Sequence, residues 1–87
     1  MTVTLYSTTT CTFCVQLEQW FTRQGVTYTK ILLDQNPAVK NQVIAQSGFR
    51  SVPITQIDRG DATQFVLGFD VPRLQQALAA EGSVFTP

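Results

Sequence analysis

The sequence predicts an α/β domain: a mixed four-stranded sheet with three helices on its two faces, in the order βαβαββα. Three observations point there. Short β-rich segments interleave with segments of helical period. A turn-rich break separates two β-rich segments near the C-terminus, which suits an antiparallel hairpin. A right-handed crossover through the first helix makes the first two strands parallel.

Each element has its own warrant. TVTLYS, Thr2 to Ser7, alternates Val3 and Leu5 with small polar residues and reads as a strand. From Cys14 to Gln24, Leu17, Trp20, Phe21 and Gln24 recur at spacings of three and four, and Gly25 suits a left-handed cap, so this is a helix. Val26 to Leu33 is β-rich and ends in a continuous apolar run, which predicts a strand covered on both faces and at least partly internal. Asn36 and Pro37 read as N-cap and first residue of a second helix, with Val39, Val43 and Ile44 on one side and Gly48 as its stop. Pro53 opens the run PITQI, and Asp58, Arg59, Gly60 and Asp61 turn the chain into TQFVLGF. Asp70 is a candidate N-cap for a last helix, with Pro72 in its first turn, Leu74 and Leu78 facing the core and Gly82 ending it. The domain is therefore expected over residues 1–82, with a loose tail from Ser83 to Pro87.

Composition narrows the function. At 87 residues and 44% hydrophobic, the chain has material for one core and not two. Six basic and six acidic residues leave no electrostatic footprint for a phosphate backbone, so nucleic acid is not an expected partner. The absence of histidine removes Ser-His-Asp and Cys-His pairs and a histidine general base. No window approaches the roughly 18 apolar residues of a membrane helix, and the N-terminus lacks the basic and apolar regions of a secretory signal. The expectation is a cytosolic protein with no membrane contact, in which a cysteine pair is transient and catalytic rather than structural.

That pair is Cys11-Thr12-Phe13-Cys14, placed where the first strand gives way to the first helix. Free amides and the positive end of the helix dipole favour a thiolate at Cys11, lowering its pKa from about 8.5 to roughly 3.5–7.5 in comparable sites. Cys11 is the expected attacker, and Cys14, with two residues between them, can resolve the mixed disulfide. A closed structural zinc site needs four ligands, whereas the chain offers two cysteines and no histidine, so no metal is expected. Trp20 and Phe21 read as core rather than as a binding box, and Arg50 and Arg73 as solvated cations.

Three strings taken together, CTFC between strand and helix, Ser51-Val52-Pro53 before the third strand and Gly68-Phe69-Asp70 before the last helix, resemble the glutaredoxin family within the thioredoxin fold. They span nearly the whole chain. The resemblance implies that Pro53 is cis and faces the cysteines, and that the Val52 backbone pairs with an incoming peptide or glutathione. It further implies substrate contacts at Thr12, Phe13, Gly68 and Asp70, with the Phe13 ring flanking the docked sulfur and Asp70 holding the γ-glutamyl end of glutathione. The chain has Thr8 where many glutathione-using members carry lysine, and Phe69 where many carry a second glycine. GFDVPRL is closer to the glutaredoxin-like redoxins of the NrdH type, which take electrons from thioredoxin reductase and pass them to ribonucleotide reductase. Such redoxins carry an SGFRP-like string before the last helix; the SGFR at Ser47 to Arg50 lies elsewhere and is read as coincidence.

The expectation is thus a monomeric thiol-disulfide oxidoreductase without a bound cofactor, cycling through a Cys11–Cys14 disulfide. Its reducing equivalents would come from NADPH through thioredoxin reductase, or from glutathione. The alternative of another class is a dimer binding an iron-sulfur cluster, and retention of Cys14 speaks against it because such members usually keep one motif cysteine.

Overall fold

The computed structural model describes residues 2–60 and 62–79. Asp61 of the expected hairpin turn, the expected stop at Gly82 and the tail from Ser83 to Pro87 lie outside the described residues. Strand β1 (Thr2–Ser7) is followed by helix α1 (Thr12–Gln24), strand β2 (Thr29–Leu32), helix α2 (Pro37–Ser47), strands β3 (Ile54–Asp58) and β4 (Thr63–Leu67), and helix α3 (Val71–Ala79). The strands form one sheet in the order β2-β1-β3-β4. β1 pairs with β2 in parallel, Ser7 opposite Leu32, and with β3 antiparallel, Tyr6 opposite Ile54; β3 and β4 form the antiparallel hairpin.

The two-residue period of β1 divides the core between the sheet faces. Val3 and Leu5 meet Leu17, Trp20 and Phe21 of α1 and Leu74, Ala77 and Leu78 of α3 on one side. Tyr6 meets Val43 of α2, Leu33 and Ile54 on the other. Trp20 and Phe21 are core residues, as their helical spacing predicts, and Cys14 completes the buried stripe of α1. Gln24, although in phase with that stripe, is exposed.

Two expectations are corrected. The Val26 to Leu33 segment is not internal: its strand begins only at Thr29 and lies at the sheet edge. The apolar run does not mark a central strand because its last residue leaves the sheet. Leu33 enters a short 3₁₀ turn, Leu33–Gln35, and is buried against the α2 side. Lys30 keeps the edge polar, a common protection against edge-to-edge pairing, and its ammonium reaches Glu18 of α1 at 3.3 Å. Asn36 stands at the N-cap position of α2 but makes no capping bond. Its side-chain amide instead donates to the Leu32 carbonyl at 2.8 Å, closing the 3₁₀ turn behind it.

Candidate active site

The topology gathers the segments of interest at one end of the sheet. β1 and β2 finish there, β3 starts there, and β4 ends there before leading into α3. The turn ahead of the first helix, the loop carrying Pro53 and the Gly68–Asp70 bend are therefore neighbours in space although far apart in sequence.

Beyond Ser7 the chain makes a turn closed by the Cys11 amide donating to the Thr8 carbonyl at 3.4 Å. Cys11 takes extended backbone angles (φ −87°, ψ 107°) and serves as the N-cap of α1. Its sulfur accepts the Cys14 amide proton at 3.1 Å, where a serine or aspartate oxygen usually sits in such a cap. Cys11 and Cys14 are joined as a disulfide across a Cα–Cα distance of 5.2 Å. Their environments differ: Cys11 is partly exposed, while Cys14 is 1% exposed. Cys11 is thus the more accessible of the two to an incoming group. Once reduced, a Cys11 thiolate would receive the same amide hydrogen bond and the field of the helix N-terminus.

The side chains that line the surface patch at Cys11 carry no charge. Thr9, Thr10, Thr12, Val15 and Gln16 surround it. Phe13 is 63% exposed and so is no core aromatic; its ring stands open to solvent beside the cysteines in sequence. Thr8 also lines a groove together with Asp34, Lys40, Arg50, Ser51 and Val52. The Val52–Pro53 peptide is cis, as the resemblance implies. Pro53 directs its carbonyl to the Gly68 amide at 2.8 Å, tying this loop to the end of β4. Gly68 adopts φ 79°, a region costly for residues with a Cβ, which explains glycine at that bend.

Asp70 does cap α3: its carboxylate accepts the Arg73 amide at 3.3 Å, and its second oxygen pairs with the Arg73 guanidinium at 3.3 Å. Arg73 is therefore a partner of Asp70 rather than a solitary cation.

Sequence reasoning missed Asp34. Its carboxylate accepts both the Thr9 hydroxyl at 2.6 Å and the Thr9 amide at 3.3 Å. The hydroxyl bond is the main reason its carboxyl is held below the usual carboxylate range. No local sequence pattern marks it, because the contact forms only where the β1–β2 pairing ends at Ser7 and Leu32 and the chain turns into the 3₁₀ segment. Of the two described tyrosines, Tyr6 donates to Gln56 at 2.7 Å and its phenol is pushed up by burial.

Comparison with known proteins agrees with this geometry. The glutaredoxin family profile matches residues 3–60. The glutaredoxin-like protein NrdH of Lactococcus lactis subsp. cremoris is 30% identical over 56 residues, 64% of this chain and 76% of the relative. The crystal structure of a glutaredoxin from Archaeoglobus fulgidus superposes with a TM-score of 0.72 at 28% identity, covering 87% of this chain and 84% of that one. The glutaredoxin-like NrdH-redoxin of Escherichia coli, described as having a thioredoxin-like activity profile, gives 0.71 at 25% identity over 87% of this chain and 93% of its own. With its cysteine pair at the strand-to-helix junction and a thioredoxin-like sheet around it, the chain belongs to the glutaredoxin family of thiol-disulfide oxidoreductases.

Proposed function

We propose that the protein is an NrdH-like electron donor that reduces disulfides of other proteins, ribonucleotide reductase being the candidate substrate, and is itself re-reduced by thioredoxin reductase at the expense of NADPH. The observation that carries this reading is the contrast between a partly exposed Cys11, in a patch lined by uncharged side chains, and a buried Cys14. In the forward reaction the Cys11 thiolate attacks one sulfur of the substrate disulfide, forming a mixed disulfide and expelling the other sulfur as a thiolate. The Cys14 thiolate then attacks the Cys11 sulfur, closing the intramolecular disulfide and releasing the second substrate thiolate. Two electrons pass to the substrate. The reductase supplies two electrons to reopen the Cys11–Cys14 bond.

In this reading the Val52 backbone and Pro53 line the approach of the substrate segment, and Thr12, Phe13, Gly68 and Asp70 border it. Thr8 in place of a lysine and the engagement of both Asp70 oxygens by Arg73 support a protein reductase over glutathione. Among the described residues no helix is long and apolar enough to cross a membrane, which is compatible with work in the cytoplasm. The protein acts as a monomer without a bound cofactor.

One observation favours a second reading. Lys40 and Arg50 both line the groove that holds Thr8 and Val52, and two cations there could accept glutathione carboxylates. NADPH consumption with a model disulfide, measured in parallel with thioredoxin reductase and with glutathione plus glutathione reductase, separates the two. Turnover with thioredoxin reductase alone supports the NrdH-like reading. Turnover with glutathione alone replaces it with a glutathione-dependent glutaredoxin and gives Asp70, Lys40 and Arg50 roles as tripeptide ligands.

A further inference from the structure

The turn that presents Cys11 is lightly held by its own backbone. The Thr8–Cys11 bond that closes it and the first helical bond, from the Val15 amide to the Cys11 carbonyl, are both 3.4 Å long, near the limit of useful geometry. The shortest hydrogen bond at this turn comes from outside it, the 2.6 Å contact of the Thr9 hydroxyl with Asp34, supplemented by the Thr9 amide at 3.3 Å. Asp34 is itself well placed. It belongs to the 3₁₀ turn whose Leu33 is buried in the α2-side core and whose exit is closed by the Asn36 amide on the Leu33 carbonyl at 3.2 Å. Where the β1–β2 ladder ends at Ser7 and Leu32, this carboxylate continues the pairing as a side-chain bridge.

We infer that Asp34 is a positioning residue for Cys11: its carboxylate, gripping Thr9 through hydroxyl and amide, holds the Thr8–Cys11 turn in the conformation that keeps the Cys11 sulfur on the Cys14 amide. A negative charge near a thiolate would by itself disfavour the thiolate, so the anchoring and the charge act in opposite directions. The groove also contains Lys40 and Arg50, whose charges offset that of Asp34. Anchoring dominates because Asp34 is solvent-exposed, where water screens its charge, whereas the bond to Thr9 is local and short.

The inference rests on the thiol chemistry of Cys11 but not on the identity of the electron donor, and its test needs no reductase. The fully reduced protein is reacted with iodoacetamide, a neutral reagent, and the rate of Cys11 alkylation is followed against pH in Asp34→Ala, Asp34→Asn, Thr9→Ala and the Asp34→Ala/Thr9→Ala double variant. Asp34→Ala and Thr9→Ala should each raise the midpoint and slow alkylation at neutral pH about 2- to 12-fold, the range of one net hydrogen bond. The double variant should fall no further than Asp34→Ala, which already removes both bonds to Thr9, whereas Thr9→Ala removes only the hydroxyl one. Asp34→Asn, which keeps an acceptor for the hydroxyl, should retain a rate closer to the parent. A midpoint that drops in Asp34→Ala would show that charge and not anchoring is what Asp34 contributes. Additive losses, or no effect of Thr9→Ala, would also overturn the inference. Failure of NADPH turnover with thioredoxin reductase alters the proposed function and leaves this result untouched.

Discussion

Replacing Cys11 by alanine and by serine separates its role as a helix cap from its role as a nucleophile. The cap is an observed contact, with the Cys11 sulfur accepting the Cys14 amide at 3.1 Å in extended N-cap geometry. Serine keeps an acceptor on the same Cβ, and alanine leaves the amide at the start of α1 without one. Loss of an N-cap acceptor costs about 0.5–2 kcal/mol. Both variants lose the disulfide equally, so the cross-link cancels in the comparison. We therefore expect Cys11→Ala to be about 1 kcal/mol less stable than Cys11→Ser, equivalent to a Tm lower by roughly 4–8 °C in a domain of this size. Urea unfolding at equilibrium measures the difference, with an unchanged slope showing that the same surface is exposed. Both variants should lack dithiol reductase activity. Equal stability of the two would refute the cap argument, and full activity in Cys11→Ser would refute the assignment of the nucleophile.

Further outcomes follow from the same geometry. Cys14→Ser should accumulate a mixed disulfide between Cys11 and substrate, seen by mass spectrometry as a covalent adduct that dithiothreitol removes; release of product at the parent rate would contradict a resolving role for Cys14. Phe21 of α1 is fully buried in the cluster it forms with the sheet and α3, so Phe21→Ala should cost about 3–5 kcal/mol, and a loss below about 1 kcal/mol in urea would contradict its place in the core. Tyr28 donates to Glu18 at 3.0 Å, and its phenol is raised above 10.0 by burial first and then by the Glu18 hydrogen bond and charge. Because the folded value lies above the unfolded one, its contribution to stability is full below about pH 10 and is lost as the pH rises through the folded value. Ultraviolet titration of the phenols should show the Tyr28 midpoint moving down in Glu18→Gln, while burial still holds it above the free value; no movement would remove Glu18 as a cause.

Much of the architecture was legible because it rests on local rules. Gly25 and Gly48 end their helices with φ of 72° and 78°, as glycine stops should, and the period of α1 correctly separates Leu17, Trp20 and Phe21 from solvent. The cysteine pair was legible for the same reason, since a CxxC motif at a strand-to-helix junction carries its geometry with it. What local patterns could not supply was lateral order. The apolar run ending at Leu33 reads alike whether its strand is central or at an edge, and only the full pairing shows that the run turns out of the sheet into a buried 3₁₀ turn. Asn36 next to Pro37 looked like a cap, but its side chain was recruited backwards by the Leu32 carbonyl, a competition invisible to a rule that looks only forward. Asp34 was missed because its partner is 25 residues away, across the crossover.

The central claim is that Cys11 and Cys14 exchange two electrons as one unit. A redox titration in dithiothreitol buffers, with the thiols trapped by alkylation and counted by mass spectrometry, tests it most directly. The account predicts one two-electron transition in which both thiols disappear together, the dithiol-to-disulfide ratio changing tenfold for about every 30 mV, with the disulfide mapped to Cys11 and Cys14. Thiols that remain alkylatable across the whole range, or that disappear only into disulfide-linked dimers, would contradict it.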